Sequence, residues 1–136
     1  MGIFNKGDNI KPSTNSSGTT IISEGSRISG ELRFNGSVHI DGDVEGNIFC
    51  EKVVTVGKKG KVKGKITAEK IIINGYAEGE ADCSYVEILS GGKFVGEITY
   101  NEITIEPQGV FEGNLKLKTG KIKNIKEVKT GNETGK

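Results

Sequence analysis

The stretch Gly42-Asp43-Val44-Glu45-Gly46-Asn47-Ile48 has the order Gly-x-apolar-x-Gly-x-apolar. The same phrase occurs at five other places in the chain: residues 26–32, 60–66, 75–81, 92–98 and 109–115. The first of these has Ser26 in place of the leading glycine. The first apolar positions of the six copies are Ile28, Val44, Val62, Ala77, Phe94 and Phe111. Self-similarity at such a short period predicts a solenoid.

Within each copy the apolar residues alternate with polar ones, which predicts short strands and no helix. Each copy should contain two or three strands separated by corners. We expect the first glycine of each phrase, such as Gly42, to occupy a corner with a positive φ angle. We expect the second glycine, such as Gly46, to lie where the chain has no room for a Cβ atom.

A coil of about 17 residues that stacks on the next coil is a single-stranded parallel β-helix, with equivalent residues about 4.8 Å apart. The sequence therefore predicts an all-β fold of about six coils of roughly 15–18 residues. Like residues should form inward columns along the stack. One column contains Phe34, Cys50, Ala68, Cys83, Tyr100 and Leu117, and another contains Val38, Val54, Ile71, Val86 and Ile103.

Outward positions also align between coils in this register. Glu45, Lys63 and Glu78 fall in one column, and Lys65 lies next to Glu80 in another. Exposed pairs of opposite charge contribute only about 0.2–1 kcal/mol each, so they select the register more than they stabilise the fold. The lysines at 58, 59, 61, 63 and 65 could bind an anion, but their acidic neighbours favour a structural role.

Composition divides the chain into three segments. Residues 1–17 and 119–136 are too polar to form a coil, so we expect disordered tails on either side of a β-helix domain at 18–118. The net charge is +1, but residues 116–136 carry +5 and residues 18–115 carry −5. An acidic body does not indicate a nucleic-acid-binding protein. The basic tail could touch an anionic surface, although a solvated tail is the favoured interpretation.

The N-terminus suggests a weak membrane contact. Ile3 and Phe4 stand beside Lys6, and two apolar side chains next to a cation can insert shallowly into a membrane interface. Such binding would matter only when many copies act together. The sequence has no long apolar run and no apolar signal core, which predicts a cytoplasmic protein without a transmembrane helix.

The sequence contains no recognisable catalytic or cofactor site. His39 is the one histidine and should point outward, and neither cysteine has a base beside it in sequence. No metal-ligand spacing and no phosphate-binding loop occurs. We therefore expect no enzymatic activity, no metal, no cofactor and no bound nucleotide. The enzymatic alternative is a hexapeptide-repeat acyltransferase, but the apolar intervals here are irregular.

The six phrases, each followed nine or ten residues later by an apolar-x-apolar pair, resemble those of the bactofilin family over residues 20–118. The resemblance implies a right-handed triangular β-helix in a bacterial cytoskeletal protein. It implies polymerisation without nucleotide at the inner face of the cytoplasmic membrane. It also implies a role in cell shape, with peptidoglycan-modifying enzymes or their membrane-bound regulators as partners.

A β-helix without caps has two adhesive ends, because each end leaves strand edges and core side chains uncovered. We expect end-to-end self-association through the first and last coils. The predicted polymer interface comprises Ile21, Ile22, Ile28, Phe111, Leu115 and Leu117. The alternative is a monomeric module that binds a partner protein with one flat face, and sedimentation would distinguish the two.

The stacking register predicts that Cys50 and Cys83 are not bonded to each other. Ala68 lies between them, so their Cα atoms should be about 10 Å apart, beyond the limit of about 7 Å for a disulfide. A thiol count on the denatured, unreduced monomer should find both cysteines free. A count of zero would contradict the register as well as the cysteine prediction.

Overall fold

The computed structural model describes residues 18–118, which form twelve β-strands and no helix. Short strands of four residues alternate with long strands of seven or eight. The strands are β1 (Thr19–Ile22), β2 (Arg27–Phe34), β3 (Ser37–Ile40), β4 (Asp43–Cys50), β5 (Val53–Val56), β6 (Lys61–Thr67), β7 (Lys70–Ile73), β8 (Tyr76–Asp82), β9 (Tyr85–Ile88), β10 (Lys93–Tyr100), β11 (Glu102–Ile105) and β12 (Val110–Leu117).

Two parallel sheets run the length of the molecule. The short strands pair in the order β1-β3-β5-β7-β9-β11, and the long strands in the order β2-β4-β6-β8-β10-β12. Each coil therefore consists of one short strand and the long strand that follows it, and coils 1 to 6 are numbered from the N-terminal side. The predicted all-β parallel solenoid of about six coils is confirmed.

The predicted inward columns are also confirmed by the strand register. Val38 pairs with Val54, Val54 with Ile71, and Ile71 with Val86. The side chains of coils 2 to 5 in these columns are buried, and together they form one continuous core. Because each apolar residue stacks on its counterpart, the core needs neither a helix nor a second layer. Both cysteines belong to this core and are free, as predicted.

The second glycine of each phrase bends the long strand. Gly46 has a φ of 131°, and its five counterparts lie between 126° and 138°. Residues other than glycine rarely adopt this backbone conformation. A Cβ atom on Gly46 would also collide with the carbonyl oxygen of Gly30 in the preceding coil. The prediction that this position has no room for a Cβ atom is therefore confirmed.

The prediction of a positive φ at the first glycine is wrong. Gly42, Gly60 and Gly75 do not have positive φ angles, whereas the bend glycines do. The first glycine is required for a different reason. A Cβ atom on Gly60 would collide with the carbonyl oxygen of Ile40, because the corner lies directly against the preceding coil.

The variable spacing of the repeats is confined to the corners. Four residues connect the short strand to the long one at 23–26, 57–60, 89–92 and 106–109, but only two do so at 41–42 and 74–75. The paired strands keep one register throughout, since Gly30, Gly46 and Gly64 align in spite of these differences. Corner length therefore varies without disturbing the core.

The charged columns align as predicted, but the lysines of β6 form no close ion pairs within residues 18–118. Lys63, for example, lies between Glu45 and Glu78 in the register. The ion pairs of the described coils form elsewhere, for example between Arg27 and Asp43 at 3.8 Å. The charges of β6 therefore remain exposed to solvent.

The close approach of successive bends can be tested with two alanine substitutions. Gly30 and Gly64 have nearly the same φ, 127° and 133°, but a Cβ atom meets nothing within 4 Å at Gly30 and collides with the Gly46 carbonyl oxygen at Gly64. Gly30→Ala should cost about 1–3 kcal/mol of backbone strain. Gly64→Ala should cost about 1–3 kcal/mol more, because it also overpacks the stack. Denaturant unfolding of both variants measures the difference, and equal losses would show that φ alone requires glycine.

Candidate polymer interface at the ends of the solenoid

The last coil exposes one side of the core. Among the described residues, β11 and β12 each pair with a strand on one side only. The inward side chains of this coil include four that are only half-buried: Ile103, Ile105, Phe111 and Leu117. Their counterparts in coil 5, such as Phe94 and Ile88, are at most 4% exposed. The difference arises because no seventh coil covers them within residues 18–118.

Phe111 is the largest apolar group at this end. Its ring stacks on the ring of Phe94, with the centroids 6.0 Å apart and the planes inclined by 21°. Below Phe94 the column continues with the small side chain of Ala77, which leaves room for an aromatic ring. One face of Phe111 is thus covered by coil 5, and the opposite face is directed toward the open end of the stack.

The first coil shows the same pattern at the other end. Ile28, Leu32 and Phe34 are half-buried, although the equivalent Val44 and Ile48 in coil 2 are buried. Within the described part of the chain, β1 and β2 also have a neighbour on one side only. Each end of the described solenoid therefore presents a set of partly exposed inward side chains, surrounded by the unpaired strand edges of the end coil. We call each set an apolar ring.

The structure separates the six predicted interface residues into three groups. Phe111, Leu117 and Ile28 belong to the partly open rings. Ile22 and Leu115 face inward but are only 6% and 8% exposed, so each is already largely covered.

Ile21 forms the third group, because it does not belong to the ring at the first coil. It is 65% exposed and pairs with His39, in an outward column. Adjacent residues of a strand point to opposite faces, so Ile21 and Ile22 cannot both face the core. The sequence prediction grouped them because both are isoleucines at the start of the first coil.

Sequence reasoning missed four members of the rings. Ile103 and Ile105 complete the ring of coil 6, and Leu32 and Phe34 complete that of coil 1. The signal was present, because each of the four falls in an inward column whose other members were assigned to the core.

The predicted membrane contact at Ile3, Phe4 and Lys6 lies outside the described residues. No helix within residues 18–118 is long and apolar enough to cross a bilayer.

The histidine and the two cysteines of the described coils lie in surroundings that do not indicate a catalytic or metal-binding role. His39 is outward, as predicted, and its Nε2 atom lies 3.1 Å from Asp41. No group of histidine, cysteine and acidic side chains in the described coils could hold a metal ion. Burial raises the pKa of both cysteine thiols, that of Cys83 to about 12. A thiol in this environment stays protonated at neutral pH and is a poor nucleophile.

Comparison with known families agrees with this geometry. The bactofilin family model, described as polymer-forming cytoskeletal, matches residues 20–116. The chain belongs to the bactofilin family. The family description names polymer formation, and the described coils present two open ends. That description also places this bactofilin in a cytoskeletal, structural family.

Two relatives extend the comparison. Bactofilin BacP from Myxococcus xanthus (strain DK1622) is 25% identical over 99 residues, which are 72% of this chain and 41% of BacP. The chain thus spans less than half the length of that curated relative. A crystal structure of a mutant bactofilin from Thermus thermophilus is similar with a TM-score of 0.63 and 27% identity. That match covers 65% of this bactofilin and 100% of the other chain.

The raised pKa of Cys83 predicts a stability difference at alkaline pH. Above about pH 9 the thiol ionises in the unfolded chain, whereas in the folded chain it keeps its proton until about pH 12. The unfolded state then binds fewer protons, so the free energy of unfolding falls as the pH rises. Cys83→Ala removes this contribution. The free energy of unfolding should therefore decrease less for the variant than for the wild type between about pH 8 and about pH 11. The difference between the two proteins should be up to about 1.4 kcal/mol per pH unit, and denaturant unfolding at both pH values measures it. Equal losses would contradict the prediction.

Proposed function

We propose that this bactofilin is a cytoskeletal scaffold whose subunits join end to end through the apolar rings of coils 1 and 6. The observation that carries the proposal is the exposure of inward core side chains in coil 6, above all Phe111. Stacking a further coil on this end would bury these side chains and pair the edges of β11 and β12 that have no partner within residues 18–118. Both contributions favour association, since apolar burial contributes about 25 cal/mol per Å² and strand edges are templates for pairing.

The proposed joint requires no nucleotide. It consists of strand pairing and apolar contact, and both form spontaneously when complementary ends meet. We therefore propose nucleotide-independent filaments. The subunit would add its own six coils to a continuous solenoid, so that the polymer repeats the interior packing of the monomer.

Membership in the bactofilin family supports a more specific role. We propose that the filaments lie at the inner face of the cytoplasmic membrane and organise peptidoglycan-modifying enzymes, or their membrane-bound regulators, to set cell shape. Ile3, Phe4 and Lys6 are the proposed membrane contacts. A filament presents many copies of this short segment side by side, and multivalent attachment can be firm even when each contact is weak.

The competing hypothesis is a monomeric binding module that uses one flat face of the solenoid. Sedimentation without added nucleotide distinguishes the two, because filaments pellet at high speed and a monomer of 14.5 kDa does not. A protein that stays in the supernatant at every concentration would favour the binding module.

Phe111→Arg tests the joint at coil 6. In the monomer the variant loses the ring stacking on Phe94, worth about 0.5–1.5 kcal/mol, and the arginine can turn into water. In a filament the charge would be buried between two ends without a partner, at a cost of several kcal/mol. Association should therefore weaken more than about a hundredfold. High-speed pelleting and electron microscopy measure the loss of filaments.

The matched control for this variant is Asn114→Arg. Asn114 lies on the same strand as Phe111 but is exposed in an outward column, so the added charge stays in water. The control should form filaments like the wild type. Circular dichroism must show that both variants keep their β content. A folded Phe111→Arg protein that still makes long filaments would contradict the proposed joint.

Removal of residues 1–11 tests the membrane contact. These residues precede the described coils in sequence and carry none of the repeats, so polymerisation should be unchanged while binding to anionic liposomes falls. Co-sedimentation of full-length and shortened protein with liposomes measures the difference. Equal binding would reject the N-terminal contact. In that case a second truncation, of residues 119–136, would test the lysine-rich tail instead.

A further inference from the structure

One lateral face of the solenoid carries charges that alternate from coil to coil. The face is formed by the outward side chains of the three residues that precede each bend glycine, and we name it the banded face. In coil 1 it carries Arg27, in coil 2 Asp43 and Glu45, and in coil 3 Lys61 and Lys63. The face charge of the first three coils is therefore +1, −2 and +2.

The alternation continues through the second half of the molecule. Coil 4 carries Glu78, coil 5 carries Lys93 and coil 6 carries Glu112, which gives −1, +1 and −1. The charges do not alternate on the outward side of the short strands or on the part of the long strands that follows the bend glycine. The short-strand face, for example, has Glu87 in coil 5 and Glu102 in coil 6, so the same sign recurs in adjacent coils.

Only some of the charged residues on this face form ion pairs within the described coils. In the described coils, two ion pairs lie on the banded face and join Arg27 to Asp43 at 3.8 Å and Lys93 to Glu112 at 3.9 Å. Such exposed contacts contribute little. The face lysines of coil 3 form no ion pair within residues 18–118, although carboxylates flank Lys63 on both sides. The coil 3 lysines are thus available to meet charges on another molecule. Glu78 in coil 4 accepts a hydrogen bond from the Tyr76 hydroxyl at 2.8 Å but is exposed to solvent.

We propose that the banded face binds the banded face of a second copy of this chain, related by a two-fold axis perpendicular to the solenoid. This inference rests on the proposed function, because it describes how neighbouring filaments associate. The rotation places coil 1 against coil 6, coil 2 against coil 5 and coil 3 against coil 4. Odd coils carry positive charge and even coils negative charge, so all six levels bring opposite signs together.

The match extends to individual columns. The two-fold rotation sets each outward column against itself in reverse order. Lys63 then faces Glu78 of the second copy, and Asp43 faces Lys93 of the second copy. Lys61 faces the ring of Tyr76 of the second copy, an arrangement that allows a cation–π contact. No two like charges are directly opposed.

The parallel arrangements fit less well. Two copies aligned in parallel and in register would set like charge against like at all six levels. For an isolated pair of subunits, a parallel shift by one coil restores attraction but leaves one coil of each molecule without a partner, whereas the two-fold arrangement uses every level. In continuous filaments the shift leaves no coil without a partner, so the second test below distinguishes the two arrangements. Two-fold symmetry is also the commonest symmetry of protein assemblies.

The expected contact is weak for one pair of subunits and strong for a pair of filaments. The face is only two outward columns wide and about 29 Å long, since six coils rise by about 4.8 Å each. A face of this size is well below the roughly 800 Å² per partner of a stable interface. Repetition along two filaments multiplies the contact. We therefore expect lateral bundles at low salt that separate at about 1 M salt, where the screening length is about 3 Å.

The first test reverses the charge of coil 3. Lys61→Glu with Lys63→Glu makes coils 2, 3 and 4 uniformly negative on the face. The matched control is Lys58→Glu with Lys65→Glu, which changes the same number of charges on the same coil but outside the face. High-speed pelleting reports filaments and low-speed pelleting reports bundles. The first variant should keep its filaments and lose about tenfold or more of the low-speed pellet, whereas the control should bundle like the wild type.

The second test identifies the two-fold arrangement. Asp43→Lys alone should disperse the bundles, and the addition of Lys93→Asp should restore them. Coils 2 and 5 are three levels apart within one chain, about 14 Å, so the rescue cannot arise inside a subunit. In the parallel shifted arrangement Lys at position 43 would meet another positive level, and no rescue would occur. Failure of the double variant to bundle would overturn the two-fold arrangement.

The two proposals can fail independently. If the first variant still bundles at low salt, the banded face is not the lateral contact, and the end-to-end joint is unaffected. If no filaments form at all, the end-to-end proposal fails. Sedimentation equilibrium of the same proteins then tests the face alone. At low salt and high protein concentration, weak self-association of the wild type that salt and the Lys61→Glu, Lys63→Glu substitutions both reduce would support it. Equal behaviour of the wild type and the variant would overturn it.

Discussion

The close approach of the backbone at the bend glycines determines the rest of this structure. At Gly46 the chain turns with a φ of 131° directly over the carbonyl oxygen of Gly30, and no other residue type fits there. Because every coil makes this contact at the same point, the coils can stack in only one register. A slip of one residue would put a side chain against the backbone of the next coil and would turn the apolar residues outward. The inward columns, the outward columns and the open rings at both ends all follow from this contact.

Most of the fold could be predicted from the sequence, because stacked coils put equivalent residues of successive repeats side by side. The column that contains Val38 and Val54 required only the repeat and the period of two along a strand. The role of the two glycines was harder to predict. A recurring glycine indicates either a positive φ or a close contact, and the pattern alone does not distinguish them. The position of Gly60 is glycine in five of the six copies and that of Gly64 in all six, yet only Gly64 has a positive φ.

The candidate interface was predictable only in part. The sequence placed Phe111 and Leu117 in the last coil, but the exposure of an inward side chain depends on what covers it. Leu115 is 8% exposed although it belongs to the same coil as the half-buried Phe111, and the repeat pattern does not contain that difference. Ile21 shows the opposite case, since its hydrophobicity suggested a place in the ring whereas its position in the strand directs it outward. The alignment of Lys63 and Lys65 with carboxylates was predicted, but only the side-chain positions show that neither lysine forms a close ion pair within residues 18–118.

The corners have a consequence for how the length of the molecule is encoded. Coils with short corners and coils with long corners both advance the stack by one strand spacing, because the additional residues lie at the side. The length of a subunit along its axis therefore depends on the number of coils and is independent of the number of residues. Small insertions and deletions in the corners would leave that length, and the spacing of everything attached to the faces, unchanged. Only the gain or loss of a whole coil would change the spacing along an assembled polymer.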